Sequence, residues 1–175
     1  GGCGCAAALG AAFYDRNGNR FLPVGDTMCE IEHIDVRAAK DALSGIELDI
    51  MCDVTNPLYG ENGAAYIFGP QKGADEAEVI ALDHGLRHLS AKIKEALGVN
   101  LADLPGAGAA GGMGAGCVAF LGGHIQSGID AILSAVHFDN YLAGADLVIS
   151  GEGRVDSQSM LGKVISGIAK RTKAQ

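Results

Sequence analysis

Along residues 75–97 the apolar positions Val79, Leu82, Leu86, Leu89, Ile93 and Leu97 recur every three or four residues, which gathers them on one face of a helix. Asp75, Glu76 and Glu78 suit the positive end of its dipole, and Gly98 supplies the stop. A two-residue period governs Ile46, Glu47, Leu48, Asp49 and Ile50, so residues 46–53 read as a strand that ends on a carboxylate, Asp53. Residues 11–14 and 20–22 flank Asp15-Arg16-Asn17-Gly18-Asn19, where Asn-Gly provides the positive φ angles of a tight hairpin turn. Residues 5–9 are small and apolar and predict a closely packed helix that stops at Gly10. Weaker patterns predict helices over 35–43 and 126–136, a short apolar strand over 147–150, and a final helix over 159–173 whose basic end, Lys170, Arg171 and Lys173, matches its negative pole. Strands separated by helices predict an α/β fold, a mixed sheet with flanking helices. No repeat stands out at a period of 20–50 residues, and the connector at 141–146 divides residues 1–143 from residues 144–175.

Composition narrows the class. The chain has 175 residues, 48% of them hydrophobic and 19% charged, with 27 Gly, 4 Pro and no Trp, which is a globular composition with an excess of glycine. A net charge of -8 without a clustered basic patch excludes a general nucleic-acid binder and favours a small-molecule partner. The apolar stretch 109–123 is too short and too glycine-rich to cross a bilayer, which needs about 20 helical residues. The 5 cysteines, Cys3, Cys5, Cys29, Cys52 and Cys117, are odd in number with no signal peptide before them, so free thiols and a cytoplasmic setting are expected. Cys3 and Cys5 have no second Cys or His pair to complete a zinc site, and His84 and His88, four apart on the long helix, read as ordinary partly exposed histidines. The chain opens at Gly1-Gly2, inside a Gly/Ala-rich run, without Met, and is expected to be a fragment.

Three segments place polar residues beside glycines where a strand meets a loop, the usual ligand position in open α/β folds. In CDVTNPLYGENGAAYIFGPQKGAD, residues 52–75, Asp53 follows a strand, Asn56-Pro57 enforces a turn, and Gln71 and Lys72 lie among glycines. Asp53 is placed to orient a hydroxyl and Lys72 to meet a carboxylate or phosphate; a capped turn with a solvated lysine accounts for the same residues. In LPGAGAAGGMGAG, residues 104–116, glycines let several N–H groups converge on an anion, and they equally permit close packing on small residues. It lacks the GK[ST] ending of a Walker A loop. In DLVISGEGRVDSQ, residues 146–158, Glu152 and Asp156 are suited to a divalent cation or a substrate proton and Arg154 to an anionic group, while Asp156 or Ser157 serves equally as a helix cap.

Together DVTNPLYGENGAAYIFGPQKGA, LPGAGAAGGMGAG and DLVISGEGRVDSQSMLGK resemble the bacterial glycerate kinase family of the two-domain α/β type, in order and in spacing. GGCGCAAALGAAF resembles the end of that family's SATNDGG motif and the helix after it, so the likeness covers nearly the whole chain. The resemblance implies that residues 1–143 are most of the family's middle domain and residues 144–175 the return into a Rossmann-like domain, with segments missing at both ends. It also implies ATP-dependent phosphorylation of D-glycerate with Mg2+, this branch giving the 2-phosphate. Asp53 or Asp156 would orient or deprotonate the hydroxyl, with Arg154 and Lys72 neutralising substrate charge and Glu152 aiding the metal. Asn56, Gln71, Ser157 and Gln158 would contact substrate, and Gly106, Gly108, Gly111, Gly112, Gly151 and Gly153 would lie at phosphates. Val164-Ile165-Ser166 stands where relatives usually have Pro, and Cys3 and Cys5 replace other small or apolar residues. A homodimer is the expected assembly if an apolar face is left open. The rival reading is a noncatalytic sugar-acid or nucleotide-binding module.

Overall fold

The computed structural model describes residues 1–151, 153 and 164–173. By contact density the chain forms two compact units, Gly1–Ile50 with Val54–Ile125, and Met51–Asp53 with Gln126–Gln175; the expected division near residue 143 falls inside the second. The architecture is mixed α/β.

In the first unit, helix α1 (Cys3–Ala8) runs into Leu9 and the left-handed Gly10, as its small apolar residues predict. The hairpin follows, with β1 (Ala12–Tyr14) antiparallel to β2 (Arg20–Phe21) and Phe13 opposite Phe21. Its loop is held by the Asp15 carboxylate, which accepts from the N–H groups of Asn17 and Asn19 at 2.8 Å each, while Gly18 takes φ 79°. These bonds, that from the Asn19 side-chain amide foremost, hold the Asp15 carboxyl below its usual range. The sequence pattern misses β3 (His33–Asp35), which adds to the other edge of β1 with Ala12 opposite Asp35, giving the order β2-β1-β3. The helix expected over 35–43 is therefore shorter, α2 (Arg37–Ala42), because Asp35 is spent in the strand.

Strand β4 (Asp49–Met51) is likewise shorter than its alternation implies. Its partner is β5 (His124–Gln126), which the pattern assigns in part to a helix. The His124 N–H donates to the Leu48 carbonyl and the Cys52 N–H to that of Gln126, so position rises together in both strands and they run parallel. Between them lie α3 (Ala64–Phe68), α4 (Glu76–Leu97) and α5 (Ala109–Leu121). Helix α4 matches its prediction: Asp75 and Glu78 form a reciprocal capping box, Gly98 closes it at φ 70°, and Val79, Leu86, Leu89 and Ile93 are buried. Its groove receives the 3-10 turn Gly25–Glu30, and Gly85 admits Met28 there. Phe13 of the sheet meets Phe120 of α5 edge to face, centroids 5.5 Å apart, in a core shared with Ile31, Leu58, Leu89, Ile93 and Leu101.

The second unit contains α6 (Gly128–Ala135), α7 (Phe138–Leu142) and α8 (Val164–Lys173). The strand expected over 147–150 is absent: these described residues carry no ladder, and Leu147 and Ile149 are exposed. An apolar run becomes a strand only where a neighbour takes its N–H and C=O groups. The first residues of the predicted last helix, 159–163, lie outside the described residues. Arg171 ties the three helices, its guanidinium donating to Asp139 Oδ2 at 2.7 Å, Ser134 Oγ at 2.7 Å and the Asp130 carbonyl at 3.1 Å. Gly167 makes room for Ile129.

Arg171→Met keeps the stem and removes the fork. We expect it to lower the local stability of α6 and α8 by about 1–2 kcal/mol, since its partners are part-exposed. Arg171→Lys should recover little of this, because an ammonium cannot reach three separate acceptors in the same plane. Hydrogen exchange of the α6 amides reads both.

Candidate functional site

Three chain segments far apart in sequence meet in the first unit. The opening residues Gly1 and Gly2 pack on α5 so closely that a Cβ on Gly116 would stand 2.6 Å from the Gly2 Cα, and one on Gly112 would stand 3.0 Å from the Gly1 Cα. The Gly1 nitrogen donates to the Gly111 carbonyl at 2.6 Å. Ahead of this contact, residues 110–112 are all left-handed, with φ 51°, 71° and 90°, so the first turn of α5 is not an ordinary helical turn. Ala110 occupies a region that costs an L side chain roughly 1–2 kcal/mol.

The loop at 56–63 fixes the start of that turn. The Asn56 carbonyl accepts from the Gly108 N–H at 3.0 Å, the Pro57 carbonyl lies where a Gly108 side chain would go, and Leu58, fully buried, lies against Gly112. Asn56 spends its side-chain amide on the Asn62 carbonyl, 2.9 Å away. Behind the loop stands Asp83, a carboxylate only 2% exposed, whose Oδ1 accepts from the Gly60 N–H at 2.6 Å and whose Oδ2 accepts from Arg87 Nε at 2.7 Å. The Arg87 guanidinium in turn lies 4.7 Å from the Tyr59 ring centroid. Asp83 and Arg87 stand four apart on α4, a spacing common to ion pairs on any helix surface, and the sequence alone gives no sign that they form this cluster.

Between these elements is a cavity of about 310 Å³. Gly1, Gly2, Cys3 and Gly4 form one side, Gly111 another, and Met28, Phe68, Leu82 and Leu86 give apolar walls. Among the described residues Lys72 is the charged side chain in its lining, carried on the 3-10 turn Pro70–Lys72 that ends at the left-handed Gly73. Burial pushes the Cys3 thiol up to about 11.

The sequence-derived candidates thus separate into groups. Lys72 and Gly111 meet at the cavity. Asn56, Gly108 and Gly112 brace its frame, the N–H groups of Gly108 and Gly112 being taken by the Asn56 and Gly108 carbonyls, and Gly106 is buried beside them. Gln71 is exposed next to Lys72. Asp53 belongs to the second unit, where its exposed carboxylate accepts from the Gly128 N–H at 3.1 Å at the start of α6. Gly151 and Gly153 are exposed; Glu152, Arg154, Asp156, Ser157 and Gln158 lie outside the described residues. The His88 Nε2–H donates to the Ile31 carbonyl at 2.7 Å, which gives that histidine a structural partner. Among the described residues no group of three or more His, Cys, Asp or Glu is gathered as a metal site.

The profile of the glycerate kinase family matches residues 1–175. Glycerate 2-kinase of Escherichia coli (strain K12) is 47% identical over 173 residues, 99% of this chain and 45% of its own length. Glycerate kinase of Bacillus cereus (strain ATCC 10987 / NRS 248) is 43% identical over 99% of this chain and 45% of its own. A crystal structure of a protein assigned as glycerate kinase 2 from Salmonella typhimurium LT2 superposes with a TM-score of 0.86 at 43% identity, covering 99% of this chain and 46% of that one. The chain therefore spans a little under half the length of the relatives it matches.

Two glycines of the tract separate shape from conformation. At Gly116 a methyl group has no room, so Gly116→Ala is expected to cost about 2–3 kcal/mol in chemical denaturation. Gly111 has open space around it and only its φ of 71° to resist substitution, so Gly111→Ala is expected to cost about 1 kcal/mol. Thiol chemistry tests the cavity wall. At pH 8 a thiol titrating near 11 is about one-thousandth ionised, so Cys3 should alkylate with iodoacetamide far more slowly than exposed Cys5 and Cys29 in peptide mass spectrometry.

Proposed function

The chain belongs to the glycerate kinase family, and from that premise we propose that the intact protein transfers the γ-phosphoryl group of ATP to D-glycerate, giving 2-phosphoglycerate. The observation that supports this in the chain itself is the meeting of the Gly1-Gly2 segment, the Lys72 turn and the glycine tract at one cavity, where Lys72 is the cationic side chain among the described residues. Phosphoryl transfer asks a protein for positioning and charge neutralisation more than for covalent chemistry. A glycerate hydroxyl oxygen bonds to the γ-phosphorus as the bond from that phosphorus to ADP breaks, and the hydroxyl proton passes to a carboxylate.

Lys72, exposed on its turn, neutralises the substrate carboxylate or a phosphate. Gly111 offers backbone at the same cavity, and its neighbours Gly106, Gly108 and Gly112 keep that backbone in place. Asp53 or Asp156 orients or deprotonates the hydroxyl, Arg154 adds positive charge, and Asn56, Gln71, Ser157 and Gln158 complete the substrate contacts, with Gly151 and Gly153 at the phosphates. Magnesium, when bound, would neutralise the nucleotide phosphates, and an exposed carboxylate is the kind of side chain that would hold it. Asp53, exposed and with one oxygen engaged by a backbone N–H, is a donor of that type, and Glu152 is the residue proposed to hold the ion.

The test is the intact protein with ATP, magnesium and D-glycerate, the product position being read by NMR. The expected product carries phosphate on C2. Lys72→Ala should raise KM for glycerate or ATP by about 10–100-fold, the loss of one charge-assisted contact, with little change in stability. Binding of glycerate or ATP without phosphate transfer would point instead to the noncatalytic module, and an unchanged KM in Lys72→Ala would remove that residue from the site.

A further inference from the structure

We infer that Asp83, held by Arg87, is a positioning residue for this reaction: through the Gly60 N–H it fixes the loop at 56–63, and that loop sets the left-handed turn at 110–112 against the cavity. The inference rests on the kinase reading above.

The connection is continuous within the first unit. Asp83 is buried on α4 and lies outside the cavity lining, so its carboxylate does not touch a ligand there. Both of its oxygens are engaged, one by the Gly60 N–H at 2.6 Å and one by Arg87 Nε at 2.7 Å. Gly60 takes φ 91° and its carbonyl accepts from the Gly63 N–H at 2.7 Å, while the Leu58 carbonyl accepts from the Ala64 N–H at 3.1 Å, so the loop is closed on itself and leads directly into α3. α3 supplies Ala64, Ala65 and Phe68 to the cavity. The other end of the loop grips the glycine tract, with Asn56 accepting from the Gly108 N–H and Leu58 against Gly112. One buried carboxylate therefore stands behind two walls of the cavity, the α3 side and the Gly111 side.

A buried ionised carboxylate is a costly device for plain stability, since removing charge from water is repaid only with full pairing. Here that pairing extends to the Tyr59 ring beneath Arg87, on the same loop. The loop is thus held at Tyr59 from the guanidinium and at Gly60 from the carboxylate.

The experiment uses the intact protein and compares wild type with Asp83→Asn and Asp83→Ala at a temperature well below the midpoint of each variant. Asparagine keeps an acceptor for the Gly60 N–H and loses the charge on which Arg87 is held; alanine loses both. The expected result is a 10–100-fold loss of kcat/KM for glycerate in Asp83→Ala, with the larger part recovered in Asp83→Asn. In hydrogen exchange, amides of residues 58–63 and 106–112 should open faster in Asp83→Ala, while those of β1 and β3 are unchanged. A stabilising role alone would lower the midpoint and leave kcat and KM within twofold in the folded protein, which would overturn the inference. If Asp83→Ala does not fold, Asp83→Asn and Arg87→Gln carry the same comparison, with partial losses expected and none overturning it. Should wild type fail to phosphorylate glycerate, the kinase reading falls on its own. Exchange at 106–112 then decides the positioning role, which an unchanged rate there overturns.

Discussion

The backbone of residues 1–2 lies directly on that of residues 112–116, and the first compact unit is organised around this contact. Main chain approaches main chain at that distance only where no Cβ intervenes, so α5 must present glycine at 112 and 116 and the opening segment must present it at 2, whose Cβ would stand 2.7 Å from the Gly116 Cα. Glycine inside a helix costs about 1 kcal/mol relative to alanine, and α5 carries it at 111, 112, 114 and 116. That helix is therefore a product of its packing. Its far end is anchored by Phe120 on Phe13, which joins the glycine contact to the three-stranded sheet and leaves the cavity between the opening segment, α3 and α4.

What the glycines supply is shape, and the charge at the cavity comes from a different element. Lys72 sits on a 3-10 turn that Gly69 and Gly73 bound on either side, close to the point where α4 begins with its capping box. The capping residues set where α4 starts, and Leu82 and Leu86, about two and three turns further on, reach the apolar wall. The same helix therefore sets the wall and the distance at which the lysine turn begins. Asp83 and Arg87 use its adjacent face to hold the loop that closes the other side. Position along a single long helix coordinates the charged, apolar and loop-bracing parts of the site.

Elements that carry their own signal were legible in the sequence, and elements defined by a distant partner were not. Six apolar residues at helical spacing and a capping box mark α4 without reference to anything else, and Asn17-Gly18 between two short apolar runs marks the hairpin. Strands β3 and β5 are three residues each, and what makes them strands is Ala12 opposite Asp35 and the bonds from 48–52 to 124–126. The reverse error at 147–150 has the same origin, an apolar run without a ladder. Helix α3, five residues between Gly63 and Gly69, reads as loop because its length is below what local propensity can specify. At the site, Lys72 and the glycine tract were visible as residue types, but two uses for the glycines were open, and only the 2.6 Å approach at Gly116 separates them. Asp83 lies between Val79 and Leu86 on the buried face of α4, and what the sequence could not give is its partner, since the Gly60 N–H comes from a loop 23 residues away.

Close backbone packing and anion binding make opposite demands on the same glycines. Packing consumes N–H groups and space, as Gly108 and Gly112 show by donating to the carbonyls of Asn56 and Gly108. Binding needs backbone left open to a cavity; Gly111 lines the cavity with no atom near the position of its missing Cβ, while its carbonyl is taken by the Gly1 nitrogen. Three consecutive left-handed residues open this stretch of chain, and within them Gly112 lies against Leu58 and the opening segment while Gly111 lines the cavity. The strain at Ala110 is the local cost of that division, and the loop braced by Asp83 is what holds the strained turn in register with Lys72.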